Sequence, residues 1–145
     1  QSRGAGFTLQ KGHPNCIAPR KRPRHTLCAT LVVKDGRPHI GFGTEGGHLQ
    51  PQVHLQVLSR MFDHGEDIQR AIEHPRWAYD VTTGTLRLEG RFPAEAADAL
   101  RSFGYRVQVE APYSGMGQSH GVQEYAPGTL AGGADPRSEG YVLWL

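Results

Sequence analysis

The hydrophobic and polar pattern is sharpest near residues 27–43. Leu27–Val33 and Pro38–Gly43 are β-prone runs, and they flank Lys34-Asp35-Gly36-Arg37. An Asp-Gly pair between two such runs is the strongest short-range signal for a hairpin, because both residues tolerate the left-handed backbone of its turn. The sequence therefore predicts an antiparallel hairpin in this segment.

Three helices are predicted after this hairpin. Beyond Gly46-Gly47, apolar residues recur at helical spacing and stop at Gly65, which is typical of a helix C-cap. The apolar positions are Val53, Val57, Leu58, Met61 and Phe62. This pattern predicts about four helical turns from near Gln50. A short helix is predicted over residues 67–73, before Pro75, and a third over residues 93–103, before Gly104.

Strand-like segments lie between and after these helices. They are Trp77–Asp80, Thr85–Glu89, Arg106–Val109, His120–Tyr125 and Tyr141–Leu145. Because strands and helices are segregated along the chain, the pattern favours an α+β fold with sheet-and-helix layers over a doubly wound parallel sheet. Residues 1–26, broken by proline and glycine, are predicted to form a loop-rich arm over a sheet-and-helix body at 27–145. Together they are expected to form a single partial domain.

Composition excludes several classes of function. The chain has 145 residues, with 16 basic and 14 acidic residues, and much of the excess lies in Arg20-Lys21-Arg22-Pro23-Arg24. Without interleaved aromatic residues, this run does not favour nucleic-acid binding. No apolar run is long enough for a membrane span. Cys16 and Cys28 are expected to be buried free thiols. The start lacks an initiator methionine and a targeting segment, which suggests a processed or truncated product and leaves the compartment, cytoplasmic or periplasmic, open.

The candidate chemistry centres on Gly46 and Gly47, at a predicted strand-to-helix junction. Unpaired amides at a helix N-terminus bind anions, and adjacent glycines let a substrate approach the main chain. Such a pair can stabilise the oxyanion of acyl transfer, although an ordinary flexible turn fits the local pattern as well. The eight histidines form no His-Glu-x-x-His pair, so no metal site and no cofactor is expected. Asp135-Pro136-Arg137 is interpreted as a structural turn in which arginine ties the turn to a neighbouring segment.

An ordered set of short segments spanning nearly the whole chain resembles the small subunit of the gamma-glutamyltransferase family. The set is Gln1-Ser2-Arg3-Gly4 with Phe7-Thr8-Leu9, His13-Pro14-Asn15, Lys21–Thr26, Gly46-Gly47 with Gln50-Pro51-Gln52 and Leu55-Gln56, Pro75-Arg76, and Ala134–Arg137. The resemblance implies an αββα sandwich of the N-terminal nucleophile hydrolase type, made as a self-cleaving precursor. In such enzymes the exposed threonine attacks an amide carbonyl with its own α-amine as base.

The resemblance also assigns roles and partners. It implies that Gly46 and Gly47 form the oxyanion hole, and that His25 and Thr26 occupy the places of two serines that hold the substrate's α-carboxylate. Gly6 stands where glutamyl-specific members have an aspartate for the α-amino group. The nucleophilic threonine is expected before Gln1, so this chain should be inactive alone. Its expected partners are the large subunit and the N-terminal part of the small subunit of the same precursor, with a small amide or gamma-glutamyl compound as substrate.

Two alternatives stay open on the sequence. Gly6 cannot pair with an ammonium ion, which favours a non-glutamyl amidohydrolase or acylase of the cephalosporin-acylase or oxamate-amidohydrolase type. From a different class, the chain could be a non-catalytic scaffold or interaction module that keeps the fold without the chemistry. A threonine or serine followed closely by histidine, upstream of Gln1, would distinguish an enzyme from a scaffold.

Overall fold

Two β-sheets and three α-helices organise the chain in the computed structural model, which describes residues 2–144. The strands are β1 (Ala29–Lys34), β2 (Arg37–Glu45), β3 (Trp77–Asp80), β4 (Thr85–Glu89), β5 (Arg106–Glu110), β6 (Gln118–Ala126) and β7 (Thr129–Ala134). The helices are α1 (Gln50–Phe62), α2 (Ile68–Glu73) and α3 (Ala94–Ser102). A short 3₁₀ helix, Ser2–Gly6, opens the described range.

The larger sheet has the strand order β1-β2-β6-β7, with every neighbouring pair antiparallel. The predicted hairpin is confirmed as β1 and β2, whose last pair is Lys34 with Arg37. At the turn, Asp35 and Gly36 have φ values of 52° and 74°. Positive φ at both central residues is the signature of the tight turn whose twist matches the flanking strands. The Asp-Gly pair therefore forms the turn because both residues adopt the left-handed backbone conformation, as predicted.

Helices α1 and α2 cover one face of this sheet. The core joins Ile40 and Phe42 of β2 to apolar residues of both helices: Val53, Val57, Met61, Ile68, Ala71 and Ile72. Helix α2 lies so close to the sheet that a Cβ at Gly121 or Gly133 would come within 2.8 Å of the Cδ1 atom of Ile68 or Ile72, respectively. Glycine at these two sheet positions is what allows the helix to lie this close.

The opposite face of the same sheet carries no helix in the described chain and is covered at Gly132 by Val142. Leu31, Val122 and Leu130 point to this side and are 63%, 47% and 72% exposed, respectively. Gly41 lies between two of them, because it pairs with Leu31 on β1 and with Val122 on β6. The larger sheet thus has one helix layer on one face and exposed apolar side chains on the other.

The smaller sheet has the order β3-β4-β5 and its own core. Strands β3 and β4 are antiparallel, whereas β4 and β5 are parallel and connected through α3. Leu86, Leu88 and Ala97 are buried at the centre of this unit, with Trp77 and Leu100 against them. One crossover does not make a doubly wound sheet, and the predicted α+β class is confirmed.

A buried ionic network joins the two sheets. Arg76 Nη2 lies 2.7 Å from Asp135 Oδ2, and Arg137 Nη1 lies 3.0 Å from Asp135 Oδ1. Arg137 also donates to Glu89 Oε2 at 2.8 Å and to the carbonyl oxygens of Ile72 and His74. Burial acts to raise the pKa of Glu89, but hydrogen bonds and the charge of Arg137 hold that pKa below its ordinary value. The interpretation of Asp135-Pro136-Arg137 as a structural turn is confirmed.

Three predictions need correction. Residues 141–144 form no strand; Val142 instead lies over Gly132, where a Cβ would come 2.5 Å from its Cγ1 atom, and Leu145 lies outside the described residues. Strand β7 was missed because its sequence, TLAGGA, has little β-propensity and is ordered by pairing with β6. Both cysteines are free, but Cys28 is exposed and Cys16 is only half-buried, so the prediction that both thiols are buried was wrong.

Candidate active site

The junction between β2 and α1 presents two backbone amides. Strand β2 ends at Glu45, Gly46 follows, and a 3₁₀ turn at Gly47–Leu49 leads into α1. The amide of Leu49 donates to the carbonyl of Gly46 at 3.0 Å and closes that turn. Within residues 2–144, no acceptor is recorded for the amides of Gly46 and Gly47. Unpaired amides in this position are suited to an anionic oxygen.

Gly47 faces open space at this junction. Its φ is 55°, in the left-handed region that favours glycine, and no heavy atom lies within 4 Å of the place where its Cβ would stand. The residue is exposed. The main chain at Gly47 can therefore be approached closely by another molecule, as the sequence predicted.

Gly46 is fixed by a second glycine that the sequence analysis did not single out. A Cβ on Gly46 would lie 3.1 Å from Gly117 Cα, and a Cβ on Gly117 would lie 2.9 Å from the carbonyl oxygen of Glu45. Gly117 stands just before β6, the neighbour of β2. The repeated glycines in Gly115-Met116-Gly117 were the available signal for such a close approach.

The arm at residues 7–21 is tied mainly to itself. Thr8 and Ile17 are connected by the hydrogen bond from Ile17 N to Thr8 O, 3.0 Å long, and Asn15 Nδ2 donates to the carbonyl of Gly6. Lys21 Nζ donates to the carbonyl of Cys16 at 2.9 Å. Asn15 and Lys21, which helped to carry the family resemblance, therefore hold the arm in shape.

The segment around Thr26 makes two hydrogen bonds, one to the start of α1 and one to Arg3. Cys28 N donates to Oε1 of Gln50, the buried first residue of α1, at 3.0 Å. Two residues earlier in the chain, Thr26 Oγ1 accepts a hydrogen bond from Arg3 Nε at 3.1 Å. Because two residues span at most about 7 Å, Thr26 lies near the helix start that follows Gly46 and Gly47.

His25 and Gly6, the two other positions that the resemblance singled out, are exposed. His25 is exposed, with its neighbour Thr26 half-buried. Gly6 ends the 3₁₀ helix that carries Arg3 and has open space for a Cβ. The structure brings the segment that carries Thr26 to Gln50, the residue with which α1 begins after Gly46 and Gly47. Sequence reasoning missed the contacts of Arg3 and Gln50, although both residues belonged to the motifs of the resemblance.

The charge around this arm is strongly one-sided. Residues 1–34 contain seven basic residues and no aspartate or glutamate. The basic residues are Arg3, Lys11, Arg20, Lys21, Arg22, Arg24 and Lys34. The resulting positive potential favours an anionic ligand at the arm, since it raises the local concentration of anions.

Three hydroxyls and one imidazole on β1, β2, β6 and α1 are engaged in hydrogen bonds with one another. Thr44 Oγ1 lies 2.7 Å from Ser119 Oγ, and Thr30 Oγ1 lies 2.9 Å from His54 Nδ1. Burial lowers the pKa of His54, which favours its neutral form.

In the described part of the chain, no group of three histidine, cysteine, aspartate or glutamate side chains is arranged to hold a metal ion. None of the helices described there has the length and apolar character needed to cross a membrane.

Comparison with known proteins gives this geometry a family context. The whole chain, residues 1–145, matches the family model described as Gamma-glutamyltranspeptidase. It is 42% identical over 150 residues to the glutathione hydrolase-like YwrD proenzyme of Bacillus subtilis, covering 100% of this chain and 29% of that protein. It is 38% identical over 146 residues to the oxamate amidohydrolase proenzyme of Klebsiella pneumoniae, covering 97% of this chain and 28% of that protein.

A solved structure, that of a cephalosporin acylase from Bacillus halodurans, matches with a TM-score of 0.87 and 35% identity, covering 100% of this chain and 27% of that chain. The chain thus spans less than a third of the length of these relatives. The predicted fold, part of an αββα sandwich of the N-terminal nucleophile hydrolase type, is confirmed. With a match over its full length, the chain belongs to the gamma-glutamyltranspeptidase family.

Proposed function

We propose that this chain is the oxyanion-hole and substrate-pocket part of an amide-cleaving enzyme, a hydrolase or acyltransferase with an N-terminal threonine nucleophile. The observation that carries the proposal is the pair of amides at Gly46 and Gly47, at the start of α1 in a chain of this family. Amides fixed at a helix start stabilise the charge that develops on a carbonyl oxygen during acyl transfer.

The proposed mechanism divides the chemistry between this chain and a segment outside it. A threonine hydroxyl from that segment attacks the amide carbonyl, with its own α-amine taking the proton. The amides of Gly46 and Gly47 donate to the oxyanion, the leaving amine departs, and water or an acceptor amine resolves the acyl-enzyme. Thr30 and Thr44 are poor candidates for the nucleophile, because their hydroxyls already bond to His54 and Ser119.

The proposed partners are the large subunit and the N-terminal part of the small subunit of the same precursor. Two observations support this. Relatives named proenzymes are more than three times the length of the match, and the outer face of the larger sheet exposes Leu31, Val122 and Leu130. A second sheet packed on this face would bury those side chains. The 145 residues are then one partial domain.

The proposed pocket uses Thr26, with His25 beside it. Thr26 has a hydroxyl near the junction, whereas His25 is exposed and adds a ring at the rim. One relative is named an oxamate amidohydrolase and one structural match a cephalosporin acylase. With Gly6 lacking any side chain for an ammonium ion, an amide other than a gamma-glutamyl compound is the favoured substrate.

A test compares the 145-residue chain with the precursor encoded by the complete reading frame. The precursor should split into two chains, visible by denaturing electrophoresis, and should release p-nitroaniline from an acyl anilide. The 145-residue chain alone should release none. Equal turnover by the short chain would overturn the proposal that the nucleophile lies elsewhere. A precursor that neither splits nor cleaves any anilide would favour the non-catalytic scaffold.

A further inference from the structure

We propose that Gln52 and Gln56 of α1 are positioning residues for the proposed reaction. They hold the start of α1 at the orientation in which the amides of Gly46 and Gly47 meet the oxyanion. This inference rests on the proposed function and adds to it two residues that touch neither the substrate nor the oxyanion. The observation behind it is a ladder of four hydrogen bonds between the two side chains and the main chain of β3.

Each glutamine forms a two-bond pair with one residue of β3. Gln52 Oε1 accepts from Tyr79 N at 2.8 Å, and Gln52 Nε2 donates to Tyr79 O at 2.9 Å. Gln56 Oε1 accepts from Trp77 N at 3.0 Å, and Gln56 Nε2 donates to Trp77 O at 2.9 Å. Two residues of antiparallel strands exchange the same pair of bonds. The two side chains therefore take the place of a neighbouring strand along β3, an edge strand of the smaller sheet.

The spacing of the two glutamines matches that of the two strand residues. Residues i and i+4 lie on one face of a helix, about 6 Å apart along its axis. Residues i and i+2 of a strand present their main-chain groups at the same edge, about 6.8 Å apart. The glutamines can thus bind both strand residues at once only at one rotation of α1 about its axis and one position along that axis.

The apolar contacts beneath α1 are less selective. Val53 and Val57 are buried in the core, but apolar burial is non-directional and tolerates small rotations of a helix. Hydrogen bonds are directional and weaken steeply when their angle is poor. A catalytic site has to hold its donors within about 0.5 Å and 10–20° of the productive geometry. The ladder therefore fixes an orientation that packing alone leaves loose.

The ladder begins in the first turn of α1. Gln52 is the third residue of the helix, and the turn before the helix is closed by the bond from Leu49 N to Gly46 O at 3.0 Å. A rotation of the first helical turn is therefore transmitted to the peptide groups of Gly46 and Gly47. Because Gln56 lies one turn further along the helix, we expect Gln52 to have the larger effect on catalysis.

The test uses the complete, processed enzyme and Gln52→Met, in which a side chain of similar size forms none of these bonds. We expect kcat for an acyl anilide to fall about tenfold with KM within about twofold, because a misplaced oxyanion donor weakens only the transition state. Gln56→Met should lower kcat less than about threefold. An alkylboronic acid forms a tetrahedral adduct with a nucleophilic hydroxyl and should bind Gln52→Met about tenfold more weakly, since its boronate oxygen occupies the oxyanion position.

Gln69 provides a matched control on the larger sheet. Its Oε1 accepts from Ala134 N at 2.8 Å and its Nε2 donates to Ala134 O at 3.0 Å, so it forms the same pair of bonds with the edge strand β7. Gln69 is half-buried, as Gln52 is. Gln69→Met should lower the midpoint of urea unfolding at least as much as Gln52→Met, because Gln69 Nε2 also donates to Glu73. Its kcat should stay within about twofold of wild type.

Tyr79→Pro repeats the test with α1 unchanged and covers the case in which Gln52→Met fails to fold. It removes the N–H that donates to Gln52, and proline is tolerated on an edge strand. It should also lower kcat, and adding Gln52→Met to it should cost less than about twofold more. Unchanged kcat in both single variants, or equal kcat losses in Gln52→Met and Gln69→Met, would overturn this inference alone. A wild-type enzyme that cleaves no anilide would overturn the proposed function and the inference with it.

Discussion

Gly47 combines an exposed amide with a left-handed backbone, so the position can be probed by a single methyl group. Gly47→Ala imposes about 1–2 kcal/mol of backbone strain at φ 55°. Rotation of the peptide group that carries the amide relieves this strain. We expect kcat of the complete enzyme to fall about tenfold or more, because the oxyanion loses an aligned donor. Steady-state kinetics with the preferred anilide checks this.

The control for that substitution is Gly128→Ala. Gly128 has φ 75° in the turn between β6 and β7, and no atom lies within 4 Å of its Cβ position. The backbone cost is therefore similar, whereas the junction is untouched, and kcat should stay within about twofold of wild type. Equal losses in the two variants would mean that Gly47 acts only through the stability of the fold.

At the same scale, the sequence predicted some residues of the candidate site and gave no role to others. Gly46 and Gly47 could be found because adjacent glycines at a strand-to-helix junction have a local signature. The sequence could not assign roles to Gln50 and Gly117, because their contacts are distant in the chain. Gln50 contacts Cys28, 22 residues away, and Gly117 contacts Gly46, 71 residues away. No periodicity encodes contacts of that kind.

The close packing of α2 on the larger sheet leads to a prediction about the stability of the fold. At Gly121 a Cβ would lie 2.5 Å from Phe42 Cβ and 2.8 Å from Ile68 Cδ1. Gly121→Ala should therefore push the helix from the sheet and lower the free energy of unfolding by about 1–3 kcal/mol. Urea unfolding of the 145-residue chain, followed by circular dichroism, measures this.

Gly41→Ala is the matched substitution in the neighbouring strand. No atom lies within 4 Å of a Cβ at Gly41, on the outer face, and alanine restricts the unfolded chain more than glycine does. The free energy of unfolding should be unchanged or higher by up to about 1 kcal/mol. If both alanine substitutions lower the free energy of unfolding equally, the decrease reflects the β-propensity of alanine. The close approach of α2 to Gly121 would then contribute nothing to it.

Helices and strands with a clear pattern in their own sequence were predictable. Those whose conformation depends on pairing with another strand were not. The hairpin, α1 and β3 follow from an Asp-Gly turn, a helical apolar stripe and a β-prone run. Strand β7 is built largely of alanine and glycine and owes its conformation to β6. Tyr141 to Trp144 have the composition of a strand, yet those residues pair with no strand in the described chain.

At the scale of the whole molecule, a buried ionic network connects the two sheets; its members are Arg76, Glu89, Asp135 and Arg137. We expect this network to make the stability of the fold sensitive to acid. The pKa of Glu89 is depressed in the folded chain, so its contribution to stability is present above the ordinary value of 4.5 and is lost as the pH falls through the folded value. The free energy of unfolding, measured in urea at several pH values, should drop steeply below about 4.5.

Glu89→Gln should remove about 3–5 kcal/mol at pH 7, because Arg137 is then left buried without its full complement of charge, and should flatten the acid dependence. Glu124→Gln is the control, since Glu124 forms a pair of 3.8 Å with the exposed Arg37. Its loss should be at most about 1 kcal/mol. A Glu89→Gln chain as stable as wild type would show that the two sheets hold together without this carboxylate.

The attachment of the Thr26 segment to Gln50 has a consequence for how such enzymes change substrate. The start of α1 is a common anchor, since Gly46 and Gly47 lead into it and the segment that carries Thr26 is tied to Gln50 through Cys28 N. If these residues act as proposed, mutations in that anchor should alter rate and selectivity together. Positions 3 and 6 lie outside it on a separate 3₁₀ helix, with open space at Gly6. We therefore expect that single substitutions there can change the proposed acyl specificity while the main chain at Gly46 and Gly47 stays in place.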